Sequence, residues 1–244
     1  LSRVLAQMEH VGFDIDTAGV AEFGKGLDKD ILSLQERIYG FAGEVFNINS
    51  PKQLGVILFE KLELPARKKT KTGYSTNADV LESLRGKHPI IEDILEYRKL
   101  TKLKSTYVDG LLAAVQPDGR IHSSFNQTET RTGRISSTEP NMQNIPVRTE
   151  LGSTLRKFFT APKGWTLIDA DYSQIELRVL ASIAEDEHMI EAFRNHEDIH
   201  RQTAAQVFHL TPLEVTPLMR SRAKAVNFGI VYGIGAFSLS QDIG

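Results

Sequence analysis

Residues 167–178 read Leu167-Ile-Asp-Ala-Asp-Tyr-Ser-Gln-Ile-Glu-Leu-Arg178. The apolar run from Trp165 that ends in Asp171 has the form of a strand, and the helical pattern of Ser173 to Ala184 begins directly after it. Such a junction fixes a carboxylate at the strand's carboxyl end with little freedom, and Asp169 and Asp171, two residues apart, fall on one face. Hard oxygen ligands there suit Mg²⁺, which keeps several waters and draws further ligands from substrate phosphates. Glu176 has two readings. With Ser173 it fits a capping box. It also lies inside the apolar arc of Ile175, Leu177, Val179, Leu180 and Ile183, where a buried carboxylate needs a partner and points to a site.

Downstream, Pro217 to Tyr232 has a helical pattern with an apolar stripe of Met219, Ala223, Val226 and Ile230. Arg220, Lys224, Phe228 and Tyr232, four residues apart, run along another face. Cations and rings in one row suit a nucleoside triphosphate, the cations for phosphates and the rings for base and sugar. An amphipathic helix with aromatics in a second interface is the competing reading. Gly229 and Gly233 each cost the helix about 1 kcal/mol relative to Ala, which predicts a close approach to the backbone.

Upstream, Thr128 to Thr149 forms a long polar loop rich in arginines, amides and hydroxyls, a contact set for phosphates, sugars and base edges that an ordinary polar loop shares. Ile121 to Gln127 and Leu155 to Thr160 are predicted strands. Nearer the N-terminus, Val11, Phe13 and Ile15 alternate as a strand before a helical start near Thr17, and Asp28 to Gly43 is helical. Ser50 and Pro51 mark the N-cap and first turn of a helix reaching about Leu62. A basic loop, 67–76, leads to helices over 77–85 and 89–115. In the latter, Leu100, Leu103, Tyr107 and Leu111 share one face and Arg98, Lys102 and Ser105 the opposite one. Ile91, Ile94 and Leu95 fall on the basic side, so the first half must bury a different face or the helix must bend. Snorkelling surface bases explain the cations equally well.

Composition agrees with a globular chain: 41% hydrophobic and 25% charged residues over 244 positions, with no cysteine to support a disulfide scaffold, a thiol nucleophile or a thiolate zinc site. No apolar stretch is long enough for a membrane helix, and the chain reads as soluble and cytoplasmic, without a membrane partner. The net charge of −2 hides strong segregation. Residues 51–108 hold 12 Lys/Arg against 7 Asp/Glu, whereas 169–198 hold 2 against 9. A polyanion-binding surface close to an acidic, cation-holding centre has this pattern, as does chance clustering of solvated charge.

At Asp171-Tyr-Ser-Gln-Ile-Glu-Leu-Arg178, at the Arg220–Lys224–Phe228–Tyr232 helix and at Thr132-Gly-Arg134 through Arg148, the sequence closely resembles the family A DNA polymerases. The resemblance extends over nearly the whole chain, including Asn47 to Leu62 and Tyr97 to Tyr107. It implies an α+β fold of right-hand polymerase architecture. The start of the palm would occupy 1–27, a helical thumb 28–108, the first part of a β-sheet palm 109–183 and partial fingers 184–244. Asp171 and the Tyr172 carbonyl would be ligands for two Mg²⁺ ions, and Gln174 a neighbour of the nucleotide. Glu176 would exclude a ribose 2′-hydroxyl; Arg220, Lys224 and His200 would hold the triphosphate; Phe228 and Tyr232 would shape the nascent pair. Arg134, Asn141, Gln143 and Arg148 would touch primer–template DNA, with Arg98, Lys102, Ser105 and Thr106 on its backbone. Partners would be primer–template DNA and deoxynucleoside triphosphates, the protein acting as a monomer. Asp169 is not required by the motif.

The family's second metal-binding carboxylate belongs to a His-Asp-Glu motif that this sequence lacks. The expectation is therefore a polymerase fragment, inactive in primer extension by itself. The alternative is a non-catalytic nucleic-acid-binding module, in which Asp171 would be dispensable.

Overall fold

The computed structural model describes residues 1–66, 69–70, 73–146 and 150–243, with backbone only at 69, 70, 230, 237 and 241–243. The chain divides into two compact units, Leu1–Leu167 and Ile168–Gly244.

In the first unit, α1 (Ser2–Val11) leads through Gly12 into β1 (Phe13–Ile15). The predicted strand is present, but Val11 ends a helix that the alternation did not reveal. Asp16 then caps α2 (Thr17–Ala42), accepting from the Gly19 N–H at 2.9 Å, so this helix begins eleven residues before Asp28. Gly43, in the left-handed conformation at φ 70°, closes it. Ser50 caps α3 (Pro51–Val56) as expected, and a π-helical turn, Ile57–Lys61, extends it to the predicted end. Within the basic segment β2 (Lys69–Thr70) pairs antiparallel with β3 (Gly73–Tyr74), and residues 67, 68, 71 and 72 of the predicted loop lie outside the described residues. Next come α4 (Ala78–Glu82), capped by Asn77, and α5 (Pro89–Leu103), with Pro89 in its first turn.

The first half of α5 buries Ile90, Ile91, Ile94 and Tyr97, so it is enclosed on more than one side; a π turn, Lys104–Asp109, then re-phases the helix before α6 (Gly110–Ala114). Together these resolve the conflict between apolar and basic faces. Asp93, 7% exposed, accepts two hydrogen bonds from Arg37 on α2, one of 3.0 Å through Nε. A buried carboxylate at a helix–helix seam is tolerated only with such a bidentate partner. Ile38, Leu54, Leu58 and Leu81 complete this core.

The remainder of the unit is a small antiparallel sheet and a hairpin. β4 (Arg120–Ile121), β1 and β7 (Phe159–Thr160) form the sheet, with Phe13 opposite Ile121 and Asp14 opposite Thr160. β5 (Ser124–Asn126) pairs with β6 (Ser136–Thr138). The predicted structureless loop over 128–149 therefore contains a strand and a 3₁₀ turn, Met142–Asn144. The predicted strand over 155–160 is mostly α7 (Glu150–Arg156), which buries Leu155; only its end is β7.

The expected metal-binding strand is also corrected. Residues 165–171 are irregular and pair with no strand among the described residues, and Trp165, Leu167 and Ile168 are 76%, 53% and 89% exposed. Alternation cannot make a strand without a neighbour to complete its ladder.

The second unit is helical: α8 (Ile175–Ala184), α9 (Glu187–Arg194), α10 (Ile199–Phe208), α11 (Pro217–Val231) and α12 (Ala236–Ile243). Leu177 and Ala181 of α8 pack with Ala192 and Phe193 of α9, while the Arg178 guanidinium lies 4.5 Å over the Phe193 ring. Ala204 and Ala205 of α10 meet Ala223 of α11, with Val215 from the connection. Small side chains at this seam let the two backbones approach closely. Among the described residues no helix is long and apolar enough to cross a membrane.

Candidate nucleotide and nucleic-acid site

The most developed group of predicted residues lies on α10 and α11. Asp198 caps α10, Oδ1 accepting from the N–H groups of His200 (3.1 Å) and Arg201 (3.3 Å). Its other oxygen, Oδ2, accepts from Arg220 Nε on α11 at 2.5 Å. Burial pushes the Asp198 carboxyl upward, but the Arg220 guanidinium and the cap N–H groups outweigh it and hold the pKa below the ordinary value. Arg201 reaches the carbonyls of Pro212 (2.8 Å) and Val215 (3.3 Å), tying down the chain between the helices.

His200 is 3% exposed, and its ring centroid lies 5.9 Å from that of Phe228. Its Nδ1 is 2.9 Å from Asn227 Nδ2, and Asn227 Oδ1 is 3.0 Å from Thr203 Oγ1. Burial foremost, then Arg220, pushes the imidazole pKa down; Asp198 opposes this and Lys224 adds to it. Phe228 and Tyr232 stack at 6.3 Å with planes 14° apart, and Lys224 Nζ sits 5.9 Å from the Phe228 centroid. Lys224 and Tyr232 are exposed. Ala223 and Val226 are buried, as the stripe predicts; the side chain of Ile230 lies outside the described residues.

The two glycines have a reason within the chain. A Cβ on Gly229 would meet Ile234 Cγ2 at 2.6 Å, because the chain folds back with Ile234 N–H donating to the Gly229 carbonyl at 2.7 Å. Gly233, at φ 74°, makes that reversal. The close approach predicted for Gly229 is therefore made by this chain's own isoleucine.

Around the start of α8 the structure departs further from expectation. Gln174, at φ 54° and ψ 38°, is the N-cap, and no side chain caps the helix, so Ser173 and Glu176 form no capping box. A left-handed N-cap lacks the extended geometry that lets a side chain reach back. Glu176 is exposed instead of lying on a buried face, because α8 buries only the narrow Leu177–Ala181 stripe. Gln174 and Arg220 line a polar recess of about 290 Å³ with Arg178, His196 and Asp198. Gln174 Oε1 is buried there with no hydrogen-bond partner among the described residues.

Asp171 and Tyr172 are exposed, Tyr172 at 80%. Among the described residues no three His, Asp or Glu side chains are gathered to hold a metal ion. A carboxylate and a backbone carbonyl are hard donors of the right kind for Mg²⁺, and their exposure leaves room for water and phosphate oxygens.

In the first unit, Arg98 donates to Thr76, to its carbonyl and to Oγ1 at 3.3 Å, and burial lowers its pKa. It is a packing arginine as well as a cation. Lys102, Ser105 and Thr106 are exposed along α5 and its π turn. Asn141 Oδ1 accepts from Gln143 N–H at 3.0 Å, and Gln143 spans Ile135 and Ser137, its Nε2 donating to one carbonyl and its Oε1 accepting from the other's N–H. Both amides thus shape the loop after β6. Arg134 is exposed beside the turn at Gly133, and Arg148 lies outside the described residues. Sequence reasoning assigned no role to Asp198 or Asn227. The signal for Asp198 was an acid directly before a helical apolar pattern; Asn227 carried none.

A family model described as DNA polymerase family A matches residues 17–244. The chain belongs to DNA polymerase family A. It is 57% identical to DNA polymerase I of Caldicellulosiruptor bescii, 55% to that of Bacillus subtilis and 53% to the thermostable DNA polymerase I of Thermus thermophilus. Each match covers 100% of this chain and 28–30% of the relative, so the chain spans under a third of these family A polymerases. Among solved structures, it is similar to the POL domain of Pol1 from M. smegmatis in complex with DNA primer-template and dNTP. The TM-score is 0.86 at 45% identity, covering 99% of this chain and 43% of that one. The α+β, helix-rich fold agrees with that likeness.

Proposed function

We propose that this chain is the thumb, first palm segment and partial fingers of a polymerase that extends a primer on a DNA template, with the boundaries set out above. The observation that carries this is the Arg220–Lys224–Phe228 row on α11 with Tyr232 directly after its end, joined by His200 and Asp198 of α10, in a chain similar to a polymerase domain described with primer-template and dNTP. Cations beside stacked rings match the two halves of a nucleoside triphosphate.

In this reading Arg220 and Lys224 neutralise charge on the triphosphate, His200 donates a hydrogen bond to it, and Phe228 and Tyr232 present a flat face to the nascent pair. Gln174 contributes its free Oε1 in the recess beside Arg220. Glu176, exposed on the first turn of α8, discriminates against a ribose. Asp171 and the Tyr172 carbonyl would hold divalent metal, which supplies charge stabilisation and a lowered hydroxyl pKa for phosphoryl transfer. Lys102, Ser105 and Thr106 would meet the DNA backbone, and Arg134 the primer–template. Template pairing sets the sequence, so the protein reads pair shape.

The test is primer extension with Mg²⁺ and deoxynucleotides, comparing these 244 residues with a longer polymerase that contains them. We expect extension by the longer protein only, abolished by Asp171→Ala. Extension that survives Asp171→Ala would favour a nucleic-acid-binding module and reject the catalytic assignment.

A further inference from the structure

We propose that Asn227 is a positioning residue that holds His200 as a neutral hydrogen-bond donor through Nε2. The proposal rests on the nucleotide-binding role given to His200 above. His200 Nδ1 faces Asn227 Nδ2 at 2.9 Å. An amide nitrogen is a donor only, so the ring nitrogen opposite it must offer a lone pair, and the single proton of a neutral imidazole then resides on Nε2.

What keeps the amide turned this way is its other end. Asn227 Oδ1 lies 3.0 Å from Thr203 Oγ1, one turn along α10 from His200. The Thr203 hydroxyl also lies 2.9 Å from the Ile199 carbonyl. It has one proton, and the Ile199 carbonyl sits within a helix that can satisfy it, whereas Asn227 Oδ1 needs a donor. Donation to Asn227 completes a relay, Thr203 to Asn227 to His200, in which Asn227 Oδ1 and His200 Nδ1 each accept one proton. A second ring proton would confront the amide hydrogens across 2.9 Å, so the relay opposes imidazolium formation. The surrounding charges act in both directions: Arg220 and Lys224 disfavour a cation on His200 and Asp198 favours one, while the Phe228 ring is neutral.

The consequence is chemical. A neutral Nε2–H donor binds phosphate without changing its own charge, so affinity contributed by His200 is steady across neutral pH.

The test is nitrogen-15 NMR of the imidazoles in the 244-residue chain, with His200 assigned by comparison with His200→Gln, alongside titration with a deoxynucleoside triphosphate. At pH 7 we expect the wild-type ring to carry its proton on Nε2. Asn227→Asp should move a proton to Nδ1, facing the new carboxylate, and Asn227→Leu should give a mixture of tautomers. His200→Ala should weaken triphosphate binding roughly tenfold, the size of one charge-assisted hydrogen bond, and Asn227→Leu, which leaves part of the population with the Nε2 proton, by about twofold. A wild-type ring protonated on Nδ1 would overturn the proposal without any variant. So would an Asn227→Leu ring that keeps its proton wholly on Nε2. If His200→Ala itself binds normally, the role given to His200 falls, and the proposal with it.

Discussion

Asp198 and Arg220 are joined across the α10–α11 seam at 2.5 Å, and the same carboxylate caps the helix that carries His200. One side chain therefore holds two residues proposed for the triphosphate. Asn is as good an N-cap as Asp, so the two duties can be separated by substitution. Asp198→Ala should cost about 1–2 kcal/mol in urea unfolding, and Asp198→Asn less than half of that, because a partly exposed ion pair adds little. Equal losses would mean that the pair, not the cap, dominates. Because the Asp198 pKa is held down, its contribution is present above the ordinary carboxylate range and fades as pH falls through the lowered value.

His122 gives a second pH dependence, with the opposite sign. Its Nδ1 lies 2.6 Å from the Glu9 carbonyl of α1 and its Nε2 3.0 Å from Asp118, so acceptors face both ring nitrogens and raise its pKa. The contribution is full below the ordinary histidine range and is lost as pH rises through the raised value. The wild-type melting temperature should fall over that interval more than that of His122→Gln. Parallel curves would reject the clamp on α1.

Gly229→Ala should destabilise the second unit even though alanine is the better helix former. The gain of about 1 kcal/mol in propensity is offset by overpacking against Ile234, which typically costs about 1–3 kcal/mol. Adding Ile234→Ala should restore much of the loss in a double-mutant cycle; additive effects would show that the two residues do not clash.

Arg98 and Lys102 should separate in DNA binding. Lys102 is exposed, and Lys102→Ala should lower the slope of log K against log salt by about 0.9 without affecting stability. Arg98, bonded to Thr76, should cost stability when replaced by Ala. Unfolding curves and a salt series on each variant distinguish the two roles.

Features decided within a few residues were legible in the sequence. Ser50 and Pro51 opened their helix, and the Met219–Ala223–Val226 stripe faced the core side. Local reading failed where the partner decides the state. Trp165 to Asp171 has the composition of a strand and lacks a ladder, while Leu155 belongs to a short apolar run that periodicity cannot assign to strand or helix. The candidate site followed the same division. Arg220, Lys224, Phe228 and Tyr232 could be aligned from their spacing, but nothing local showed that Asn227 would turn toward His200, which lies 27 residues away. Glu176 was assigned to a buried face because the apolar arc of α8 is wider than the surface its neighbours cover.

The π turn at Lys104–Asp109 gives this long helix a length-tolerant joint. A π turn holds one residue more than the α-turn it replaces. Removing a single residue there can relax the segment to ordinary α-helix while the flanking faces keep their aim. The same deletion within Pro89–Leu103 would rotate everything beyond it by about 100° and expose Leu103 or its neighbours. Single-residue insertions and deletions should therefore be accommodated at 104–109 and rejected a turn earlier.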